Sequence, residues 1–278
     1  GKGVYRQTNE QATSKQIQEK ADRQTSGRIR EKGIIAMIYG VILAGGTGSR
    51  VKSSSIPKQF IELEGKPVIA YTMEHMLKVP RFDEIYIAVH RDWMDYMEEL
   101  IRDAFSPQEA QRLRLTEGGK ERLDSIRNVT DAICRDHSIG EEDVIVIHDA
   151  ARPFVTEQIL NDSIDSAAKY GAVVAAVPAS DTILHSENGE KVSEIPKRSI
   201  VYHGQAPDSF RLKQFLDMQA ALTEEQKAVI TGTSQICTLN GVTLHMVKGD
   251  TINFKITTDS DLLIAENMIR NRRKTDTD

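Results

Sequence analysis

Ile38-Tyr39-Gly40-Val41-Ile42-Leu43-Ala44-Gly45-Gly46-Thr47-Gly48-Ser49-Arg50, with Pro57-Lys58-Gln59-Phe60 close behind, is the stretch whose reading decides the fold. Ile38 to Leu43 is an apolar run that enters a glycine cluster, the pattern of a buried strand ending in a loop. Gly45, Gly46 and Gly48 carry no Cβ, so a ligand can approach the main chain, whose successive N–H groups can cradle an anion. Arg50 and Lys58 add two positive charges a short distance on, an arrangement that suits a polyphosphate. No Gly-Lys-Ser/Thr follows the glycines, so this is not a Walker loop. Val51 stands where the third glycine of the dinucleotide fingerprint belongs. A glycine turn after a strand also serves mere chain reversal; the two cations favour a phosphate site.

Working outward, short apolar runs alternate with helical periodicity from Met37 onward. The pattern predicts strands over Ile38–Leu43, Glu84–His90, Leu113–Glu117, Val144–His148 and Ala172–Val177. It predicts helices over Val68–Val79, Asp92–Phe105, Leu123–Arg135 and Glu157–Tyr170. Strands separated by helices imply an α/β chain with a mostly parallel sheet and helices on both faces. Ligands of such sheets sit beyond the carboxyl ends of the strands. Function is therefore expected at Ala44–Arg50, His90–Asp92, Gly118–Ser125 and His148–Pro153. Ala179 to Phe210 breaks the alternation, and Asn188-Gly189 between two short β-prone runs signals a hairpin. Two strands alone are marginal, so this arm needs a surface to lie on, either its own sheet or a partner subunit. Gln205 to Ala221 reads as helix, Ala228–Gly232 as a connection and Cys237–Val247 as the last strands. Thr258-x-x-Asp261 caps a final helix over Asp261–Arg270.

The 278 residues hold 36 Lys and Arg against 41 Asp and Glu, a net charge of −5. A nucleic-acid binder would need a basic face, so an anionic ligand here must be held by local cations. Cys134 and Cys237, far apart, read as reduced core thiols of an intracellular, cytoplasmic protein. No apolar run is long enough for a membrane span. Gly1 to Ala36 is polar and lacks an apolar stripe; it reads as a disordered leader ahead of a start at Met37, the folded domain covering 37–278. A targeting peptide is the other reading, opposed by Glu10, Glu19, Asp22 and Glu31.

Leu43–Arg50 followed by Pro57-Lys58-Gln59-Phe60 resembles the signature of cytidylyltransferases that act on polyol phosphates, a family including enzymes for methylerythritol phosphate and ribitol phosphate. The wider sugar-1-phosphate nucleotidyltransferases share the glycine loop but have a longer Arg-to-Lys spacing and proline after the lysine, where this chain has Gln59. The resemblance covers Met37 to Ile269. It implies a Rossmann-like nucleotidyltransferase sheet, a protruding β-arm at about 179–210 that makes a homodimer, CTP and a polyol phosphate as substrates, and Mg²⁺. The acceptor phosphate would attack the α-phosphorus of CTP and expel pyrophosphate. Its nucleophile is already an anion, so positioning and cations supply most of the catalysis.

By the same resemblance, Arg50, Lys58, Arg198 and Lys255 are the catalytic cations. Leu43, Ala44, Gly45, Gly46 and Gly48 bind the nucleotide with Gly119, Lys120, Arg122, Ser125, Asp149 and Ala150. The segment Gly118–Ser125 would read the cytosine, and Asp149 is a candidate Mg²⁺ ligand. Thr182, Arg198, Lys255 and Thr257 take the acceptor, Thr182 and Arg198 by reaching into the neighbouring subunit. Arg152 is equally readable as a structural partner of Asp149, and His148 as a packed, hydrogen-bonded histidine. Ala206 and Gly232 depart from the family pattern. Leu43-Ala44-Gly45-Gly46, Val89-His90-Arg91-Asp92-Trp93, the loop length between Arg50 and Lys58, and Tyr202-His203-Gly204-Gln205 lean toward the ribitol-phosphate branch, which feeds cell-wall or capsule polymers. A methylerythritol-phosphate enzyme, or a nucleotide binder without turnover, is the alternative.

Overall fold

The computed structural model describes residues 36–46, 54 and 56–275. The expected leader, apart from Ala36, lies outside the described residues. Ala36 is itself buried. The strands are β1 (Ile38–Ala44), β2 (Glu62–Leu63), β3 (Lys66–Pro67), β4 (Glu84–Val89), β5 (Leu113–Glu117), β6 (Val144–Asp149), β7 (Ala172–Pro178), β8 (Tyr202–Arg211) and β9 (His245–Lys248). The helices are α1 (Val68–Leu77), α2 (Met94–Ala104), α3 (Pro107–Ala110), α4 (Arg122–Asp136), α5 (Glu157–Tyr170), α6 (Leu212–Ala220), α7 (Glu224–Val229), α8 (Ser234–Leu239) and α9 (Asp259–Thr275).

The central sheet has the order β5-β4-β1-β6-β8-β7-β9. Strands β5, β4, β1 and β6 run parallel, β8 is antiparallel to both β6 and β7, and β9 runs parallel to β7. Period-two alternation sorts the strand side chains onto two faces. Ile38 and Ile42 of β1 meet Ile69 and Met73 of α1 and the α5 residues Ile159 and Leu160. Tyr39 and Val41 face the other way, against Ile126 and Val129 of α4 and Phe215 of α6. Both faces of β1 and β6 are covered, which is why these strands read as unbroken apolar runs. None of the described helices is long and apolar enough to cross a membrane.

The part of the chain after β7 departs from expectation. Tyr202–Arg211 is a strand, not the start of a helix, and helix α6 begins only at Leu212. Two neighbours supply ladder partners on both edges of this segment. Ala206-Pro207, which cannot donate at the proline nitrogen, sits where the β7–β8 register shifts between Val174 and Ala176. The arm is accordingly shorter than expected, ending before Tyr202. Within it His185 pairs antiparallel with Glu194, and Gly189 turns with φ +75° while the Asn188 carboxamide oxygen accepts from the Glu190 and Lys191 N–H groups. Cys237–Leu239 is the end of a helix, Ser234–Leu239, where strand was expected; it stops at Asn240, and Gly241 reverses the chain at φ +66°. Helix α7 follows a Thr223–Gln226 capping box that the pattern reading passed over. Cys237 is buried as expected, but Cys134 is exposed on α4.

Candidate active site

A cavity of about 440 Å³ opens at the carboxyl ends of β1 and β6, as the parallel-sheet rule requires. One wall is the turn after β1, Leu43 to Gly46. The opposite wall is the loop Gly119 to Arg122 leading into α4, with Ser125 behind it. The two glycine turns touch: a Cβ on Gly118 would lie 3.4 Å from the Gly45 Cα, and one on Gly45 would lie 3.1 Å from Ser125 Oγ. Among the described residues nothing lies within 4 Å of where a Cβ on Gly46 would stand, so none of them blocks approach to the main chain there. Gly119 leaves no room for a side chain. A Cβ there would collide with Asp124 at the start of α4, and the Gly119 N–H already donates to Ser125 Oγ at 3.0 Å.

Lys58 enters from a 3-10 turn, Lys58–Phe60. Phe60 anchors that turn in the core, stacked on Trp93 with ring centroids 4.3 Å apart. Lys255 comes from the segment after β9, far away in sequence. Three hydrogen bonds hold that segment against the residues after β6 and against β8: Ile256 N–H donates to Ala151 O at 2.9 Å, Arg152 Nη1 to Asn253 O at 2.8 Å, and Asn253 Nδ2 to Ala206 O at 2.8 Å. Lys58 and Lys255 line the same cavity.

Asp149 closes the floor. Arg122 Nη1 lies 2.5 Å from its Oδ1, while Arg152 Nε and Lys255 Nζ each lie 3.1 Å from its Oδ2. Burial alone would raise this carboxyl, but Arg122, Lys255 and Arg152 outweigh it and hold the group well below the usual carboxylate range. The Asp149 charge is thus present at any working pH. Arg122 is held further by Asp208 at 3.8 Å and by the Thr233 hydroxyl, to which its Nε donates at 3.4 Å. Burial pushes the Asp208 carboxyl up, partly offset by the Ser234 hydroxyl that donates to it at 2.6 Å. His148 is fully buried and is not part of the cavity lining; burial lowers its imidazole to about 4, so it is neutral near pH 7.

Of the expected site residues, Leu43, Ala44, Gly45, Gly46, Lys58, Gly119, Lys120, Arg122, Ser125, Asp149 and Lys255 line this one cavity. Gly48 and Arg50 lie outside the described residues. Ala150 does not reach the cavity: it is buried, its N–H donates to Leu43 O at 3.1 Å and its carbonyl accepts from Thr72 Oγ1 at 2.9 Å. Ala151 takes that stretch of wall instead. The Thr257 hydroxyl donates to Asp261 at 2.7 Å and serves the start of α9. Thr182 and Arg198 stand exposed on the arm, where an Arg198 Nη1 donates to Ser180 O at 3.2 Å. His90–Asp92 contributes nothing to the lining; Arg91 pairs outward with Glu117 at 2.9 Å. Arg152 proves to be a partner of Asp149. Sequence reasoning assigned no role to Gln59, Glu121, Ala151, Asp208 or Thr233. Gln59 stands in the quoted signature and was legible; Asp208 meets Arg122 only through tertiary folding.

Among the described residues no group of three or more His, Cys, Asp or Glu side chains could hold a metal by itself. Mg²⁺ commonly takes only one or two carboxylates, with substrate phosphates filling its shell. Asp149, lining the cavity, fits that limited part.

Residues 38–271 match the family model described as "IspD: 2-C-methyl-D-erythritol 4-phosphate cytidylyltransferase". The chain is 40% identical over 233 residues to the ribitol-5-phosphate cytidylyltransferase of Streptococcus pneumoniae serotype 2, a match covering 84% of this chain and 99% of the relative. In fold it is similar to the 4-diphosphocytidyl-2C-methyl-D-erythritol synthase of Anaerococcus prevotii, with TM-score 0.69, 24% identity and coverage of 84% and 99%. The 2-C-methyl-D-erythritol 4-phosphate cytidylyltransferase of Francisella tularensis gives TM-score 0.67 at 24% identity, covering 83% of this chain and 98% of that one. With its sheet order, its glycine-walled cavity and the match over residues 38–271, the chain belongs to the IspD family of cytidylyltransferases.

Proposed function

We propose that this chain transfers the cytidylyl group of CTP to D-ribitol 5-phosphate, giving CDP-ribitol and pyrophosphate. The observation that carries the reading is the meeting of Lys58 and Lys255 in one cavity with the Gly45-Gly46 main chain. One cation and the glycine turn suit a triphosphate; the other suits a second phosphate. An oxygen of the acceptor phosphate attacks the α-phosphorus, the bond to the bridging β-oxygen breaks, and pyrophosphate leaves with that electron pair. No proton need be removed from the nucleophile. Lys58 and Lys255 offset the repulsion between the two anions and the charge of the transition state. Mg²⁺ held by the triphosphate and Asp149 would supply further charge neutralisation. Ribitol 5-phosphate is favoured over methylerythritol 4-phosphate by the 40% identical relative and by the local features at Val89–Trp93 and Tyr202–Gln205.

The arm completes the reading. It exposes Leu184, Val192, Ile195 and Ile200, with Ile200 72% exposed, and Tyr202 at the start of β8 is exposed beside it. A group of exposed apolar side chains on a segment held by the single bridge His185–Glu194 is the surface a second copy would cover. In such a dimer Thr182 and Arg198 reach the partner's cavity as acceptor ligands, Arg198 by the bidentate geometry that guanidinium offers phosphate.

Pyrophosphate release from CTP and Mg²⁺ tests the function. Release is expected only when a polyol phosphate is added, with kcat/KM for ribitol 5-phosphate about tenfold or more above that for 2-C-methyl-D-erythritol 4-phosphate. The reverse preference would move the chain to the methylerythritol branch. A flat trace across the panel would leave a nucleotide binder.

A further inference from the structure

Gln59 lies next to Lys58 and is 3% exposed, yet it holds the nucleotide turn directly. Its Nε2 donates to Ala44 O at 2.6 Å and to Gly46 O at 2.9 Å. Both carboxamide protons are therefore engaged by carbonyls on either side of Gly45. The flipped amide would set its own oxygen against two carbonyl oxygens, so the donor assignment is chemically forced. We propose that Gln59 is a positioning residue that clamps the Ala44–Gly46 turn and registers it to Lys58. The proposal rests on the cytidylyltransferase reading.

A peptide unit is planar and trans, so fixing the Ala44 carbonyl also fixes the direction of the Gly45 N–H. A turn of glycines has no side chains of its own to restrain it, and ordering it during ligand binding would cost entropy at each residue. Gln59 supplies that order in advance from a turn already anchored by Phe60 against Trp93. Lys58 is one residue away on the same rigid 3-10 turn. The cradle for the triphosphate and the cation beside it then move as one body, which is what an electrostatic site needs before the substrate arrives.

Two variants test this. Gln59→Leu removes both donors without adding charge, and Gln59→Glu replaces them by a carboxylate that cannot donate until protonated. Gln59→Leu is expected to raise the KM for CTP about tenfold or more while the KM for ribitol 5-phosphate stays within about twofold. Gln59→Glu is expected to lose about 10²-fold at pH 8 and to regain activity relative to wild type as pH falls toward 6, because the protonated acid recovers one donor. Calorimetric CTP binding to the folded variants, without acceptor, should weaken in parallel. Unchanged CTP affinity in Gln59→Leu, an equal rise in both KM values, or a Gln59→Glu to wild-type ratio independent of pH would each overturn the proposal. Failure of the wild type to release pyrophosphate would overturn the functional reading instead, and the CTP-binding comparison would still decide the clamp.

Discussion

Lys255→Ala is expected to lower kcat by about 10²–10³, the usual effect of deleting one preorganised group that stabilises developing charge. Lys255 Nζ is 3.1 Å from Asp149 Oδ2, and its side chain, one-third exposed, lines the cavity. It is thus held in place without being consumed by its partner. Removing it leaves Asp149 still contacted by Arg122 and Arg152. The carboxylate stays compensated, and the loss should fall on catalysis more than on folding. Lys255→Arg keeps the charge but changes a compact ammonium for a planar fork, so it should recover only part of the rate. Steady-state kinetics with ribitol 5-phosphate as varied substrate would check both. A kcat within about threefold of wild type for Lys255→Ala would remove this residue from the transition state.

Complementation between two inactive variants is the second large effect. Lys58→Ala and Arg198→Ala should each lose about 10² or more in rate when assayed alone. If the arm carries Arg198 into the neighbouring cavity, a mixed dimer holds one site with both defects and one with none. Random mixing makes half the dimers mixed, so the pool should regain up to about a quarter of wild-type activity. The arm geometry underlies this expectation: Thr182 and Arg198 are exposed and absent from the lining of their own chain's cavity. Mixed dimers demonstrated by differential tags, with no recovered activity, would show that the arm does not share the site.

The first two-thirds of the fold was legible because each element there is local. Short apolar runs such as Val144–Ile147 and amphipathic helices such as Glu157–Tyr170 carry their own periodicity, and the structure keeps those bounds within a residue or two. Past β7 the deciding interactions are long-range. Tyr202–Arg211 becomes a strand because β6 and β7 leave a slot between them, a fact that no window over Gln205–Ala221 contains. The site divides in the same way. Gly45, Gly46 and Lys58 sit in one motif and could be read together. The ring around Asp149 is assembled from Arg122, Arg152 and Lys255 on three separate segments. Only resemblance, not pattern, could have joined them. Ala150 illustrates the limit of motif transfer: the position matches, but its backbone groups are bound within the protein.

The account holds that the cavity brings two phosphorylated molecules together for one direct displacement, with no cytidylyl group resting on the protein. Ser125 is the only hydroxyl among the described residues that line it, and that hydroxyl donates to Glu121 O at 3.2 Å and accepts from Gly119 N–H. Exchange of labelled pyrophosphate into CTP measures this most directly. With CTP and Mg²⁺ alone no label should enter CTP, and adding ribitol 5-phosphate should start the exchange. Label entering CTP without any acceptor would reveal a cytidylyl-enzyme and contradict the direct attack.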